Sequence, residues 1–141
     1  MSRVFLDTNI FIYLIEDEGE FGRKSMELVE RLTTRRDLVY TSTLTLGEVL
    51  TQPLSQGDLR LAELYEEKLG SPGVHLLDFD RAAARNYARI RLDRSIKAPD
   101  AMHLSMAAAA RCDLFVTNDE RLSRKVVDGI QFIAGLDRVP V

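Results

Sequence analysis

Cysteine is all but missing from this sequence: Cys112 is the only one among 141 residues. A single cysteine excludes an intramolecular disulfide and suits a reducing compartment. Long hydrophobic runs are missing too, and no stretch approaches the ~20 apolar residues needed to span a bilayer. The first apolar run is only Val4-Phe5-Leu6, far too short for a signal-peptide core. The expectation is a cytoplasmic protein with no membrane contact. Repeats, low-complexity tracts and Pro/Gly/Ser-rich linkers are also lacking, so residues 1–141 are expected to form one domain, a length able to bury a proper core. Nor does one sign of charge prevail. With 22 acids against 19 Lys and Arg the net charge is −3, and nothing global advertises nucleic acid as a partner.

What is present is an alternation of short apolar runs and longer helical patterns. Strands are expected at 4–6, 38–40, 74–77, 114–116 and 131–133. Helices are expected at 10–15, 21–35, from 46 to a stop or kink at Pro53, 58–69, 80–94, 99–111 and 119–126. The strands read as continuous apolar runs, as strands buried on both faces do. Strands alternating with helices predict an α/β fold, a central parallel sheet of about five strands flanked by helices in three layers.

Four acids stand out by position. Asp7 follows the first strand directly, and Asp119 follows the fourth after Thr117 and Asn118. Asp100 opens a helix just after Pro99, and Glu48 lies early in the helix after the second strand. Ligands of open parallel sheets bind beyond the carboxyl ends of the strands, the edge where these acids fall. Each also has a plainer reading. Thr45-Leu46-Gly47-Glu48 fits a capping box, Asp100 suits a helix dipole, and Asp119 suits an N-cap. Only Asp7 has no obvious capping role, and the coincidence of all four favours a site.

Clustered carboxylates repel one another, and their pKa values rise unless a cation compensates. Hard oxygen donors without cysteine select Mg²⁺ or Mn²⁺ over zinc, and such a site suits phosphodiester hydrolysis. On this reading Asp7 and Asp100 are the principal metal ligands and Asp119 a further one, directly or through water. Glu48 is either a ligand or the group that positions attacking water. Without the four acids the balance of the chain is +1, which fits a mildly basic rim around an acidic pit.

The residues resemble a known family. Val4-Phe5-Leu6-Asp7-Thr8-Asn9-Ile10, Leu44-Thr45-Leu46-Gly47-Glu48-Val49-Leu50, Ala98-Pro99-Asp100-Ala101-Met102-His103-Leu104 and Phe115-Val116-Thr117-Asn118-Asp119-Glu120-Arg121-Leu122, in this order and spacing, look like PIN-domain nucleases. More narrowly they are similar to the VapC-type toxins of toxin–antitoxin pairs. The resemblance covers nearly the whole chain. It implies a PIN-like fold, Mg²⁺- or Mn²⁺-dependent cleavage of RNA, a homodimer and a small antitoxin partner. The family acids fall on Asp7, Glu48, Asp100 and Asp119, and supporting polar positions on Thr8, Asn9, Thr117 and Asn118. Two departures set the fourth acid apart: Leu122 stands where an aromatic is common, and Arg121 where some members carry another acid.

Other residues invite weaker readings. Arg121, Arg124 and Lys125 follow Asp119 and are candidates for contact with RNA phosphates, or else form a solvated helix face. Lys97 and Arg94 invite the same two readings. His103, one helical turn from Asp100, reads as a packed helix histidine or as a partner of Asp100 or phosphate. Ala101, Ser105 and Ala108 would let their helix pack closely.

Two other phosphoryl chemistries fit poorly. An aspartyl-nucleophile phosphatase needs a second acid two residues after the first, where Asn9 stands. A receiver domain needs paired acids after its first strand, which offers only Asp7. Within the resemblance, a PIN nuclease of RNA processing outside any toxin pair and a catalytically idle PIN-like binding module are the alternatives.

Overall fold

The computed structural model describes residues 1–141. Along the chain run β1 (Arg3–Leu6), α1 (Thr8–Glu16), α2 (Glu20–Arg35), β2 (Leu38–Ser42), α3 (Thr43–Ser55) and α4 (Leu59–Leu69). They are followed by β3 (Val74–Leu77), α5 (Arg81–Ile90), α6 (Ala98–Ala109), β4 (Leu114–Val116), α7 (Glu120–Ser123) and β5 (Phe132–Ala134), then a 3₁₀ turn at Leu136–Arg138. All strand pairs are parallel, in the order β3-β2-β1-β4-β5. The chain winds outward from β1 to β3, then crosses back to place β4 on the other side of β1. That reversal opens a crevice at the carboxyl ends of β1 and β4.

Successive residues of a strand point to opposite faces, and the two cores follow that rule. Val4, Leu6, Leu114 and Val116 face a core with Ile10, Phe11, Leu28, Leu32, Tyr65 and Leu69 from α1, α2 and α4. Phe5 and Phe115 turn to the other face, where their rings stack 4.8 Å apart over Ala101, Leu104, Ala107 and Ala108 of α6. Three layers result. The small residues of α6 are buried as their spacing predicts, and the helix can lie close to the sheet.

The element boundaries differ from the sequence reading in informative places. Pro53 sits inside the last turn of α3, which runs on to Ser55; it forgoes the one bond its N–H would make to the carbonyl four residues back, and the helix ends two residues later. The helix expected to reach Arg94 ends at Ile90. There Arg91 donates to the Ile96 carbonyl (2.9 Å) and Asp93 accepts from the Ser95 amide and hydroxyl. These side-chain bonds to nearby backbone compete with the helical ladder. Helix α7 stops at Ser123 instead of Val126. On α4, Tyr65 and Leu69 are buried but Leu64 is 42% exposed and Ala62 takes its place.

Tyr65, wholly buried, donates its hydroxyl to Glu16 and so ties α4 to the end of α1. The turn from α1 into α2 depends on Gly22. A Cβ built there would lie 1.8 Å from the Asp17 carbonyl oxygen, which is backbone and has no freedom to move aside. Gly22→Ala is therefore expected to destabilise the protein by about 3 kcal/mol, although alanine is the better helix former. Urea unfolding of the two proteins measures this difference.

Candidate metal centre

Asp7 ends β1 and caps α1. Its Oδ1 accepts from the Thr8 amide (2.8 Å) and its Oδ2 from the Thr117 hydroxyl (2.7 Å). It thus has the capping role that the sequence left unassigned. Thr117 follows β4 and works in two directions, because its Oγ1 also accepts from the Asp119 amide (3.1 Å). One buried hydroxyl therefore fixes the acids at the ends of adjacent strands. Asp119 caps α7 through Oδ1, which accepts from the amides of Arg121 and Leu122. Asp100 is the third residue of α6, after Pro99, in the electropositive first turn.

Glu48 does not close a capping box. The cap of α3 is Ser42, whose Oγ accepts from the Thr45 amide (3.1 Å). Glu48 instead reaches across to α1 and α6. Its Oε1 accepts from the Thr8 hydroxyl (2.7 Å) and from His103 Nε2 (2.7 Å). His103 Nδ1 meets Ser42 Oγ at 2.9 Å, and the ring packs edge-on against Phe5. Thr45 Oγ1 bridges Thr8 (3.1 Å) and Thr41 (2.9 Å), and Thr41 reaches the Leu6 carbonyl. A hydroxyl ladder with His103 at its side thus supports the floor of the site. From sequence His103 has two readings, packing or contact with Asp100 or phosphate, whereas its partners are Glu48 and Ser42. Its single available signal was the shared helix face with Asp100.

Asp7, Glu48, Asp100 and Asp119 line one pit of about 220 Å³, together with Thr8, Asn9, Ile12 and His103. Thr117 and Asn118 lie outside this lining; Asn118 donates to the Tyr13 hydroxyl at 2.9 Å. No three of the acids and histidines are drawn together into a tight coordination group. Mg²⁺ does not require such a group, because it uses one or two carboxylates and keeps several waters.

The electrostatics fit a hard cation. Burial, and secondarily the charge of Glu48, pushes the Asp7 pKa up despite its hydrogen bonds and His103. Asp100, half-buried, is pushed up by desolvation and by repulsion from Asp7, Asp119 and Glu48. Glu48 behaves oppositely. Partial burial raises its pKa, but the bonds from His103 and Thr8, with the charge of His103, outweigh it and hold it low. Asn9 Oδ1, at the same pit, is buried without a hydrogen-bond partner, one more oxygen that a cation or its water would satisfy.

Beside the pit, a cleft of about 290 Å³ shares Asp100 and Asp119 with it and adds Ser95, Arg121, Arg124 and Lys125. Arg121 and Arg124 are exposed. Lys125 Nζ is committed to Asp93 (2.9 Å) and Ser95 (2.6 Å). Leu122 is buried in the core that also holds Ala101 and Leu104 of α6.

Two expectations follow. In the metal-free protein Asp7 and Asp100 bind their protons more tightly folded than unfolded. Their contribution to stability is full below the ordinary carboxylate range and is lost as pH rises through their elevated pKa values. Asp100 has no protein hydrogen bond to lose, so Asp100→Asn should raise the melting temperature of chelator-treated protein near neutral pH by a few degrees. It should also blunt the rise that Mn²⁺ produces in the parent. Second, His103→Leu leaves Ser42 and Glu48 without their partner. It should lower stability by about 2–3 kcal/mol in chemical denaturation.

The family model described as PIN domain matches residues 4–127. No curated protein is significantly similar in sequence. Among solved structures the chain is similar to a DNA-bound VapBC from Salmonella typhimurium, with 25% identity over 96% of this chain and 99% of that one, at TM-score 0.74. It is also similar to VapBC2 from Rickettsia felis bound to a promoter DNA fragment (18% identity, 94% and 98% covered, TM-score 0.71). A third is VapC20 from Mycobacterium tuberculosis, described as a sarcin–ricin loop cleaving toxin (16% identity, 87% and 96% covered, TM-score 0.66). With the acids set at the carboxyl edge of the sheet, and the match running from β1 past all four of them, the chain belongs to the PIN-domain family.

Proposed function

We propose that this chain, as a single domain over residues 1–141, is a metal-dependent ribonuclease and the toxin of a toxin–antitoxin pair. The carrying observation is that four acids from four separate segments line one pit at the crevice between β1 and β4. Asp7, Asp100 and Asp119 would hold Mg²⁺ or Mn²⁺. Bound there, such an ion lowers the pKa of an attacking water and offsets charge on the phosphodiester.

The chain's own groups do the rest. Thr8 and His103 occupy Glu48 Oε1 and leave Oε2 without a protein donor, so that oxygen is available to orient the water. Asp119 uses Oδ1 as a cap and keeps Oδ2 for the site. Arg121 and Arg124 flank the pit as contacts for RNA phosphate; Thr8 and Thr117 keep Glu48, Asp7 and Asp119 in place, Asn9 offers the pit a further oxygen, and Asn118 bonds Tyr13. Lys125 serves that rim through the loop it anchors.

The similarity to VapBC complexes and to VapC20 supports the toxin reading. On it the chain works in the cytoplasm as a homodimer restrained by a cognate antitoxin. No helix is long and apolar enough to cross a membrane. A short neighbouring reading frame whose product binds and inhibits the chain would separate a toxin from a PIN nuclease of RNA processing.

The chemical test is RNA cleavage with chelation and metal add-back. EDTA should abolish cleavage and Mn²⁺ restore it. Asp7→Asn should lower the rate by at least about 100-fold, the scale of removing one preorganised electrostatic group. Undiminished cleavage by that variant overturns the assignment of Asp7, and a parent chain that cleaves no RNA with Mn²⁺ added is an idle binding module.

A further inference from the structure

The region between β3 and α6 carries a charge imbalance that the pit does not use. Residues 78–97 hold Arg81, Arg85, Arg89, Arg91, Arg94 and Lys97 against Asp78, Asp80 and Asp93, a net +3 in a chain whose total is −3. Arg81, Arg85 and Arg89 recur every fourth residue along α5 and are exposed. The helix buries Ala83 and packs Tyr87 and Ile90 against the core. The arginines therefore form a ridge on the opposite side, about 12 Å long at 1.5 Å per residue. None of the three has a carboxylate within 4 Å. Like charges at this spacing repel, and Arg81 also opposes the positive end of the helix. The ridge works against its own helix, and an anion lying along it would relieve that.

The ridge connects with the acidic pit. The pit shares Asp100 and Asp119 with the cleft that holds Arg121 and Arg124. That cleft shares Ile96 with a second, of about 260 Å³, lined by Asn86, Arg89, Ile90 and Asp93. Asp93 would oppose a polyanion, but Lys125 is bonded to it. Asp128 is the other acid there. The cleft beside β5, which shares Arg124 with the first, is larger at about 660 Å³ yet sets Glu120 and Asp137 against Arg124 and Arg138. Its charge is balanced and gives a polyanion no preference.

We propose that α5 is an RNA-docking ridge: a single strand held at the pit continues past Arg121 and Arg124, by Arg89, and along Arg85 and Arg81. This rests on the ribonuclease reading and adds a binding surface to it. Guanidinium groups match phosphate oxygens in bidentate fashion, and a backbone presents phosphates at regular intervals, as the ridge presents its arginines. An acidic polypeptide would satisfy the charge, but the track begins where a phosphodiester has to lie for cleavage. RNA long enough to reach α5 therefore binds more tightly than a fragment confined to the pit.

The experiment uses the full chain carrying Asp7→Asn, so that RNA survives, and measures anisotropy of labelled long and short single-stranded RNA over a range of KCl. Adding Arg81→Gln, Arg85→Gln and Arg89→Gln should flatten the salt dependence for long RNA by about 2, at roughly 0.7 per lost phosphate contact. The advantage of long over short RNA should fall toward one. The same three positions as lysine, which keep the charge, should restore most of the slope. Arg23→Gln with Arg31→Gln, on α2 across the sheet, should leave it unchanged.

An unaltered slope in the glutamine variant overturns the ridge, as does equal weakening of long and short RNA or an equal effect from the α2 pair. So does loss of poly-glutamate binding with RNA binding intact. Metal-dependent cleavage of the short RNA by the parent, measured in parallel, shows separately whether the ribonuclease reading stands. Failure of the parent to bind either RNA overturns both.

Discussion

Four carboxylates must share a small volume, and their mutual repulsion is the constraint around which the carboxyl edge of this protein is built. Desolvation and neighbouring charge push Asp7 and Asp100 toward protonation, so the fold has to hold these groups in place. It does so with backbone amides and hydroxyls. Asp7 and Asp119 are pinned as helix caps, and Thr117 joins them through one hydroxyl. Capping and ligation are compatible because each carboxylate has two oxygens and several lone pairs. Glu48 is held by a different device, a charge-assisted bond to His103 that in turn rests on Ser42. Glu48 is thereby favoured in its ionised form while Asp7 and Asp100 are shifted toward protonation, a divergence that is common at functional sites.

These side chains can meet because of the winding order of the sheet. Reversal of direction after β3 places the ends of β1 and β4 side by side. The short β1 and β4, buried on both faces, are paired over three residues each. The stacked Phe5 and Phe115 rings and the small residues of α6 bring the start of that helix, with Asp100, down to the same edge. Positive charge then gathers where α5 turns into α6, next to the acids and outside the core. An overall negative chain in this way presents a basic approach to an acidic centre.

Much of this was legible in the sequence. The five strands, their parallel pairing and the placement of the acids near strand or helix ends follow from apolar runs and their punctuation. The sequence was least informative where side chains bond to distant backbone or to one another. Arg91 and Asp93 end α5 early through contacts around the following loop, and Ser42 displaces Thr45 as the cap of α3. His103 has no local partner that could have revealed its role, since Ser42 and Glu48 lie 61 and 55 residues away. Lys125 reads as free for phosphate until its bond to Asp93, 32 residues distant, is seen.

By itself, then, the sequence determined the periodicities: which runs pair as buried strands, which helices face a core, and that acids accumulate where strands stop. Local pattern suffices for these, because burial and backbone hydrogen bonding act on neighbouring residues. Only the tertiary structure decided that the four acids line one pit, that Glu48 answers to His103, and that Arg89 of α5 lines a cleft next to the one beside the pit. Those facts depend on strand order and helix packing, and so on distances through space between residues far apart in the chain.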